Sequence, residues 1–329
     1  IIKTFGYDKQ GNYDEYIEHF SAIEEEYGGL LNATGKNIIS GTNEADTIEG
    51  TAGADAVFAG EGNDVVRTRQ GDDLVYGGEG NDTIDVCEGN DIVYGGDGND
   101  SILGGDGNDT LYGEDGDDYI NPGKGNDYVY GGSGNDTIQD TESNINDSKY
   151  YDGGDGNDRI EIRWGNHTVV GGQGDDYITT DNYYAGYDTY VYNIGDGNDT
   201  INVRRQGKTI QFGEGITLEN TIFKGSGNDL IIKFKDNEGS IRVTEDLSQE
   251  QKRIGTFKFA DGTVLSHSEM LKNFATIEGN DDANNIYTSI ANETVYGYGG
   301  NDTINVSSGN DIVYGGDGND SILGGDGND

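Results

Sequence analysis

The sequence predicts an all-β protein built as a parallel β-roll, with a small β-rich insert and a short helical N-terminal cap. Three observations lead to this prediction. A nine-residue pattern recurs along much of the 329-residue chain, glycine contributes 57 residues, and hydrophobic residues make up only 32%. A single proline excludes a collagen-like repeat, and the glycines alternate with aspartate, asparagine and aliphatic residues, which a flexible linker would lack.

A nine-residue register runs through the chain from residue 46 to residue 136. The nonapeptides GGEGNDTID, VCEGNDIVY and GGDGNDSIL, for example, follow one another without a gap from Gly77. The aspartates of this register are Asp46, Asp55, Asp64, Asp73, Asp82, Asp91, Asp100, Asp109, Asp118, Asp127 and Asp136. The aliphatic residues two positions after them are Ile48, Val57, Val66, Val75, Ile84, Val93, Ile102, Leu111, Ile120, Val129 and Ile138. So regular a spacing predicts that every repeat folds alike.

Each repeat is expected to form a six-residue glycine-rich turn followed by a three-residue strand. Side chains alternate along a strand, so the aliphatic residue points inward and its neighbours point outward. Successive turns then lie on opposite edges of a flattened roll, with eighteen residues in each coil. We expect one edge to carry Asp46, Asp64, Asp82, Asp100, Asp118 and Asp136. We expect the other edge to carry Asp55, Asp73, Asp91, Asp109 and Asp127.

The nonapeptide resembles the RTX repeat G-G-x-G-x-D-x-U-x, a calcium-binding parallel β-helix repeat. The resemblance covers roughly residues 41–201 and 279–329. It implies that the register aspartates ligate Ca²⁺ through their carboxylates and that turn glycines such as Gly77, Gly95 and Gly104 ligate it through their carbonyls. Beyond the first array it implies ligands at Asp158, Asp176, Asp199, Asp302, Asp311 and Asp320. The alternative is that these aspartates only form turns.

Calcium binding would also compensate for two factors that destabilise the predicted roll. One aliphatic side chain per nine residues is a small core to set against the conformational entropy of folding, and stacked carboxylates repel one another. Calcium is a hard cation that takes carboxylate and carbonyl oxygens, so an ion between successive coils would remove the repulsion. Six turns on one edge and five on the other leave room for about nine ions in the first array.

Three turns depart from the pattern. Thr68-Arg69-Gln70 and Val86-Cys87-Glu88 replace the double glycine, so we expect these turns to bind calcium weakly. His167 stands where an aspartate belongs, and we expect no ordinary calcium site there.

The pattern divides the chain into five segments. They are an N-terminal cap (1–36), the first RTX array (37–139), an irregular RTX block (140–201) that opens with a loop (140–152), a β insert (202–275), and the start of a further array (276–329). In the insert we expect strands at 208–212, 229–235, 240–245 and 256–265. A short helix should follow, with Ser266 and Glu269 as a capping box. The stretches FGEGIT, DLIIKF and FADGTVLS resemble the haemolysin-type calcium-binding related segment that follows RTX arrays.

The net charge of −43 belongs mainly to the repeats. Residues 37–201 carry 36 acidic and 6 basic side chains, whereas residues 202–275 carry 10 acidic and 11 basic. So acidic a chain lacks the basic footprint of a nucleic acid-binding protein, and no apolar run reaches the ~18 residues of a transmembrane helix. Low hydrophobicity with high charge predicts a chain that is disordered without calcium and folded with it.

No catalytic constellation emerges, so we predict that the chain is not an enzyme and binds no cofactor besides Ca²⁺. The three histidines, His19, His167 and His267, are far apart and form no H-E-x-x-H motif, and no G-x-S-x-G motif occurs. We interpret the histidines as packing or surface residues. Paired carboxylates such as Asp175 and Asp176 follow from the repeat itself.

The RTX resemblance implies a calcium-binding region of a large secreted bacterial protein, toxin- or adhesin-like, that passes the type I secretion machinery and folds on extracellular Ca²⁺. The alternatives are the non-catalytic tail of a secreted hydrolase and a structural spacer of a surface adhesin or S-layer. Residues 306–329 repeat residues 86–109 almost letter for letter, and the chain begins without methionine and stops within a repeat. We therefore expect it to be part of a longer protein with tandem units.

Overall fold

A computed structural model describes residues 35–142, 144, 146–180, 186–226, 229–235, 239–247, 253–273, 276–288, 293–306 and 308–329. The predicted cap, including His19, therefore lies outside the described residues except for its last two positions. The described chain is a parallel β-solenoid with a single short helix, α1 (His267–Asn273). The predicted all-β roll is confirmed.

Two long sheets form the two walls of the roll, numbered here in chain order. Among the described residues, the first sheet has twelve strands in the order β1-β3-β5-β7-β9-β11-β13-β15-β17-β19-β23-β24. They are β1 (Asn37–Ser40), β3 (Asp55–Glu61), β5 (Leu74–Glu79), β7 (Ile92–Asp97), β9 (Thr110–Asp115), β11 (Tyr128–Ser133), β13 (Tyr150–Asp155), β15 (Thr168–Gln173), β17 (Thr189–Tyr192), β19 (Lys208–Phe212), β23 (Ile254–Lys258) and β24 (Val264–Ser266).

The second sheet has fifteen strands within the same described ranges, in the order β2-β4-β6-β8-β10-β12-β14-β16-β18-β22-β21-β20-β25-β27-β30. They are β2 (Thr47–Glu49), β4 (Val65–Arg67), β6 (Thr83–Asp85), β8 (Ser101–Leu103), β10 (Tyr119–Asn121), β12 (Thr137–Gln139), β14 (Arg159–Ile162), β16 (Tyr177–Thr180), β18 (Asn198–Val203), β20 (Thr221–Ser226), β21 (Asp229–Phe234), β22 (Ser240–Val243), β25 (Thr276–Asn280), β27 (Thr294–Tyr298) and β30 (Ile312–Tyr314).

Two small sheets complete the further array (276–329), which is the third array of the chain. One joins β26 (Asn285–Tyr287), β28 (Thr303–Asn305) and β31 (Ser321–Leu323), and the other joins β29 (Ser308–Gly309) and β32 (Asp326–Gly327).

The core is a column of inward-pointing aliphatic side chains between the two walls. Neighbouring coils pair in parallel with a shift of eighteen residues, as where Val75 faces Val93 and Val93 faces Leu111. All eleven aliphatic residues predicted from the register are buried, from Ile48 at 7% exposed to Ile138 at 0%. The polar neighbours point outward because side chains alternate along each strand.

The irregular block continues the roll. Both walls run without interruption from the first array into residues 146–180, through β13 and β15 in one sheet and β14 and β16 in the other. The loop expected at 140–152 is shorter than predicted, because β13 begins at Tyr150.

The β insert ends the first wall with antiparallel strands and connects the second wall to β25. β20, β21 and β22 form a meander whose last strand pairs in parallel with β18, and β23 pairs with β19. The predicted strand at 256–265 is a hairpin instead, β23 and β24, because Asp261-Gly262 supplies a tight turn. The predicted capping box is confirmed: Ser266 N–H donates to Glu269 Oε2 (2.9 Å), and Glu269 N–H donates to Ser266 Oγ (3.3 Å).

Candidate metal centre

The turn aspartates lie in two stacks, one on each edge of the roll. Along each stack the backbone N–H of one aspartate donates to Oδ1 of the next, as from Asp82 to Asp100 (2.8 Å) and from Asp100 to Asp118 (2.7 Å). The first stack consists of Asp46, Asp64, Asp82, Asp100, Asp118, Asp136, Asp158, Asp176 and Asp199. The second stack consists of Asp55, Asp73, Asp91, Asp109 and Asp127. The predicted division between the edges is thus the observed one.

The other oxygen of most stacked carboxylates is buried and unpartnered. Within the described part of the chain, an Oδ2 atom that accepts no hydrogen bond is found at Asp64, Asp82, Asp91, Asp100, Asp109, Asp118, Asp136, Asp158, Asp176, Asp302 and Asp311. Burying a carboxylate oxygen without a partner is costly, so a repeated row of such atoms indicates a cation that binds them.

At the start of each stack a threonine donates hydrogen bonds to the Oδ2 atom of the first aspartate. Thr42 donates to Asp46 Oδ2 from its backbone N–H (2.6 Å) and its hydroxyl (2.7 Å), and the Thr51 N–H donates to Asp55 Oδ2 (2.6 Å). Asp46 and Asp55 are therefore less dependent on a cation than the aspartates that follow them.

Glycine five positions before the aspartate leaves space beside that oxygen. A Cβ on Gly77 would lie 2.3 Å from the Gly95 carbonyl oxygen and 2.4 Å from Asp82 Oδ2. A Cβ on Gly95 would lie 2.4 Å from Asp100 Oδ2 and 2.6 Å from the Gly113 carbonyl oxygen. At these two turns a Cβ would therefore occupy the point where a main-chain carbonyl and an unpartnered carboxylate converge.

The donor set fits calcium. At Gly104 the same convergence joins Asp109 Oδ2 and the carbonyl oxygen of Pro122, which lacks an N–H but keeps its carbonyl. Across the described residues, no three His, Cys, Asp or Glu side chains gather around one point. A set made only of carboxylate and carbonyl oxygens suits a hard divalent cation with several ligands, as Ca²⁺ is.

Burial raises the pKa of the stacked carboxyls. It raises the pKa of Asp82 to about 6 and that of Asp100 to about 8, and the neighbouring carboxylates act in the same direction. In Asp199, at the far end of the first stack, burial raises the pKa to about 9. The ionised stack is therefore unfavourable without a compensating positive charge.

The departing turns keep the backbone path but fill the space. Thr68 and Val86 occupy the glycine position before Asp73 and Asp91, and both side chains are fully buried. The Thr68 hydroxyl donates to the Val86 carbonyl oxygen (3.0 Å). Weak calcium binding at these turns stays a prediction, and the buried side chains give it a physical reason.

His167 lies in line with the second stack, and it is buried. Its Nδ1 accepts the backbone N–H of Lys149 (3.1 Å), its Nε2 contacts the Trp164 carbonyl oxygen (2.9 Å), and its own backbone N–H donates to Asp188 Oδ1 (3.0 Å). Burial lowers the pKa of His167. A neutral imidazole thus replaces the carboxylate.

Sequence reasoning missed a second polar ladder. The side chain before most stacked aspartates accepts a backbone N–H from the following coil, as where Asn99 N–H donates to Asn81 Oδ1 (2.9 Å) and Asn126 N–H donates to Asn108 Oδ1 (2.8 Å). The signal was the Asn or Asp that precedes the ligand aspartate in almost every repeat. These side chains join successive turns and so help to set the spacing between carboxylates.

The third array holds two further stacks of the same kind. Asn284 N–H donates to Asp302 Oδ1 (2.8 Å) and Asp302 N–H to Asp320 Oδ1 (2.9 Å). On the other edge, Glu293 N–H donates to Asp311 Oδ1 (2.7 Å) and Asp311 N–H to Asp329 Oδ1 (3.1 Å). Asn284, Glu293 and Asp329 share the register of nine, although Asn and Glu replace the aspartate at the first two of these positions.

The family models match these same stretches. The model described as RTX calcium-binding nonapeptide repeat (4 copies) matches residues 33–66, 59–93, 67–102, 88–120, 103–138, 163–182, 276–304 and 296–329, more than half of the chain. The chain belongs to the RTX nonapeptide repeat family. Its insert matches the haemolysin-type calcium binding protein related domain at residues 229–269.

Other comparisons add little to the RTX assignment. The crystal structure of extracellular lipase LipA from Serratia marcescens resembles the chain at 15% identity with a TM-score of 0.24, over 67% of this chain and 40% of the lipase chain. Nothing about the function of this chain is inferred from so low a TM-score. No curated protein matches the chain. Within the described residues of this RTX chain, no helix is long and apolar enough to cross a membrane.

Proposed function

We infer that this chain is a calcium-binding region that folds when Ca²⁺ becomes available outside the cell. The observation that carries this proposal is the row of buried, unpartnered Oδ2 atoms, most of them beside a glycine and a main-chain carbonyl oxygen. Without a cation the stacked carboxylates would repel one another across each coil, and the small core would have to resist that repulsion alone. With calcium, binding free energy becomes folding free energy.

The same physics supports export in the unfolded state. At low cytosolic calcium a chain with a net charge of −43 stays expanded, which suits passage through a narrow channel such as the type I secretion machinery. Outside the cell, calcium at about 10⁻⁴–10⁻³ M is in the range of extracellular modules. We propose a secreted bacterial protein, toxin- or adhesin-like, as the parent.

A structural role is the second candidate. Residues 306–329 repeat residues 86–109 almost exactly in sequence, which favours tandem units whose purpose is to fold into a long calcium-stiffened spacer. A spacer of a surface adhesin or S-layer and the non-catalytic tail of a secreted hydrolase both fit this description. In either case no enzymatic role is proposed for the chain itself.

Far-UV circular dichroism during a calcium titration tests the proposed function. We expect a disordered spectrum in excess EDTA and a cooperative gain of β structure as calcium rises towards the millimolar range. Magnesium, which demands a tighter octahedral geometry, is the matched control and should produce little folding. A full β spectrum in excess EDTA at neutral pH would overturn the proposal.

A further inference from the structure

The second stack continues beyond Asp127, but lysine replaces aspartate at two of its later positions. The pairing of β11 with β13 places Tyr128 beside Tyr150, so Lys149 follows Asp127 along the edge. Later on the same edge, the pairing of β17 with β19 places Thr189 beside Thr209, so Lys208 follows Asp188. Two lysines thus stand at the register position that aspartate holds in the earlier coils.

The Lys149 ammonium lies between carboxylates in the interior. Its Nζ is 3.1 Å from Asp127 Oδ2 and 3.1 Å from Asp140 Oδ2, and all three side chains are fully buried. It also donates to the Gly123 carbonyl oxygen. The Tyr151 hydroxyl completes the cluster by donating to Asp140 Oδ2 (2.6 Å). The ammonium therefore contacts carboxylate and carbonyl oxygens together, the ligand chemistry that a calcium ion takes.

Lys208 repeats this arrangement further along the same edge, after His167 and Asp188. Its Nζ donates to the Gly186 carbonyl oxygen (2.8 Å) and pairs with Asp188 Oδ2, and the lysine is fully buried. At Asp91 and Asp109, earlier on the same edge, the equivalent Oδ2 atom accepts no hydrogen bond within the described residues. The difference between the two kinds of coil is therefore whether the next coil supplies a carboxylate or an ammonium.

We propose that Lys149 and Lys208 are internal cations that replace calcium on the second edge of the roll. Each ammonium neutralises the preceding aspartate and links two coils, so the gaps between Asp127 and Lys149 and between Asp188 and Lys208 bind no calcium. This deepens the proposed function, on which it rests, by assigning where calcium stops on this edge. The first stack, which keeps its carboxylates through Asp199, binds calcium alongside.

The test is the calcium stoichiometry of the full chain carrying Lys149→Asp, measured by equilibrium dialysis and elemental analysis. This substitution restores the carboxylate of the earlier coils, so we expect one additional Ca²⁺ per chain. The matched control is Lys124→Asp, the same change of charge in the preceding turn. Lys124 is exposed and pairs with Asp106 (2.6 Å), and its replacement should add no ion.

The outcomes separate this proposal from the proposed function. If the unsubstituted chain binds no calcium, the proposed function fails. If it binds calcium and a folded Lys149→Asp variant binds no more, the internal-cation proposal alone fails. Lys208→Asp provides an independent second site with the same expected gain.

If both variants fail to fold, lysine labelling of the unsubstituted chain still tests the proposal. In the calcium-loaded protein, an amine-reactive reagent followed by peptide mass spectrometry should label Lys124 at least about tenfold faster than Lys149 and Lys208, because only Lys124 is exposed. Equal labelling rates would show that the ammonium groups are not held between the coils and would overturn the proposal.

Discussion

At the scale of the residue, most aspartates in the middle of a stack use their two carboxylate oxygens differently. Oδ1 accepts the backbone N–H of the preceding coil, as Asp100 does from Asp82, whereas Oδ2 remains free for a cation. The first interaction sets the position of the carboxylate, and the second creates the demand for calcium. One side chain therefore couples the register of the roll to metal binding.

Removing a mid-stack carboxylate should weaken calcium-driven folding more than removing a terminal one. We expect Asp100→Ala to raise the calcium midpoint of folding about tenfold or more, equivalent to ~1.4 kcal/mol. Asp46→Ala should raise it less, because Thr42 already satisfies Asp46 Oδ2. Calcium titrations followed by circular dichroism measure both. Equal midpoints for the two variants would contradict a calcium role for the buried stack.

The glycine beside the carboxylate is equally specific. In Gly95→Ala the new Cβ would meet Asp100 Oδ2 at 2.4 Å and the Gly113 carbonyl oxygen at 2.6 Å, so calcium affinity should fall, with a stability loss of about 1–3 kcal/mol. Gly53→Ala is the matched control, because its Cβ would find only Thr51 Oγ1 at 4.0 Å. Isothermal titration calorimetry of the two variants compares them directly. An unchanged affinity in Gly95→Ala would show that the space beside Asp100 is not needed.

At the scale of the element, each coil contributes little core, and its outer wall adds aromatic stacking. Phe58, Tyr76, Tyr94, Tyr112 and Tyr130 form a ladder on the outer face of the first sheet, with ring centroids 4.8–5.2 Å apart. That spacing is the distance between neighbouring strands, so the parallel register itself brings the rings together.

The inward position of each strand should dominate its stability. Ile102 is fully buried in β8, and we expect Ile102→Ala to cost roughly 2–5 kcal/mol in the calcium-loaded protein. Ile92 points outward from β7 and is 40% exposed, so Ile92→Ala should change stability by less than about 0.5 kcal/mol. Urea denaturation in excess calcium gives both values. A similar loss in the two variants would contradict the inward and outward assignment.

The sequence predicts a coil well wherever the count of nine holds, because turn, ligand and core residue then recur together. It fails where a coil changes length. Asp136 and Asp158 are neighbours in the first stack although 22 residues separate them. The count of nine also did not place Asp188 and Lys149 on the second edge, where the structure has them. Across such insertions strand pairing decides the register, and pairing depends on contacts that a count along the chain does not contain. The capping box at Ser266 was predictable because it is local.

At the scale of the whole molecule, the acidic charge opposes folding only when calcium is absent. Most of it lies on the edges of the roll, where calcium would offset part of it, while the insert at 202–275 is nearly neutral and connects the second wall to the strands of residues 276–329. A composition typical of disorder is thereby compatible with an ordered fold, provided that the cation is present.

The calcium-free chain should gain structure in acid. A carboxyl whose pKa is higher in the folded state binds protons more tightly there, so protonation stabilises the fold. This stabilisation is complete below the ordinary aspartate value of 3.8 and is lost as the pH rises through the folded values, about 6 for Asp82 and about 8 for Asp100. In EDTA, lowering the pH from about 8 to about 4.5 should therefore increase the β signal in circular dichroism.

With calcium present the dependence should reverse, because protons compete with the ion for the same carboxylates. The calcium midpoint of folding should rise as the pH falls from about 8 to about 5. A midpoint independent of pH would argue against buried carboxylates as the ligands.

The most direct test of the central claim is calcium anomalous diffraction from crystals of the calcium-loaded protein. The account predicts a row of peaks along the first stack, each about 2.3–2.6 Å from an aspartate oxygen and from main-chain carbonyl oxygens of neighbouring coils. An ordered roll in which Oδ2 of Asp82, Asp100 and Asp118 contacts no calcium would contradict it.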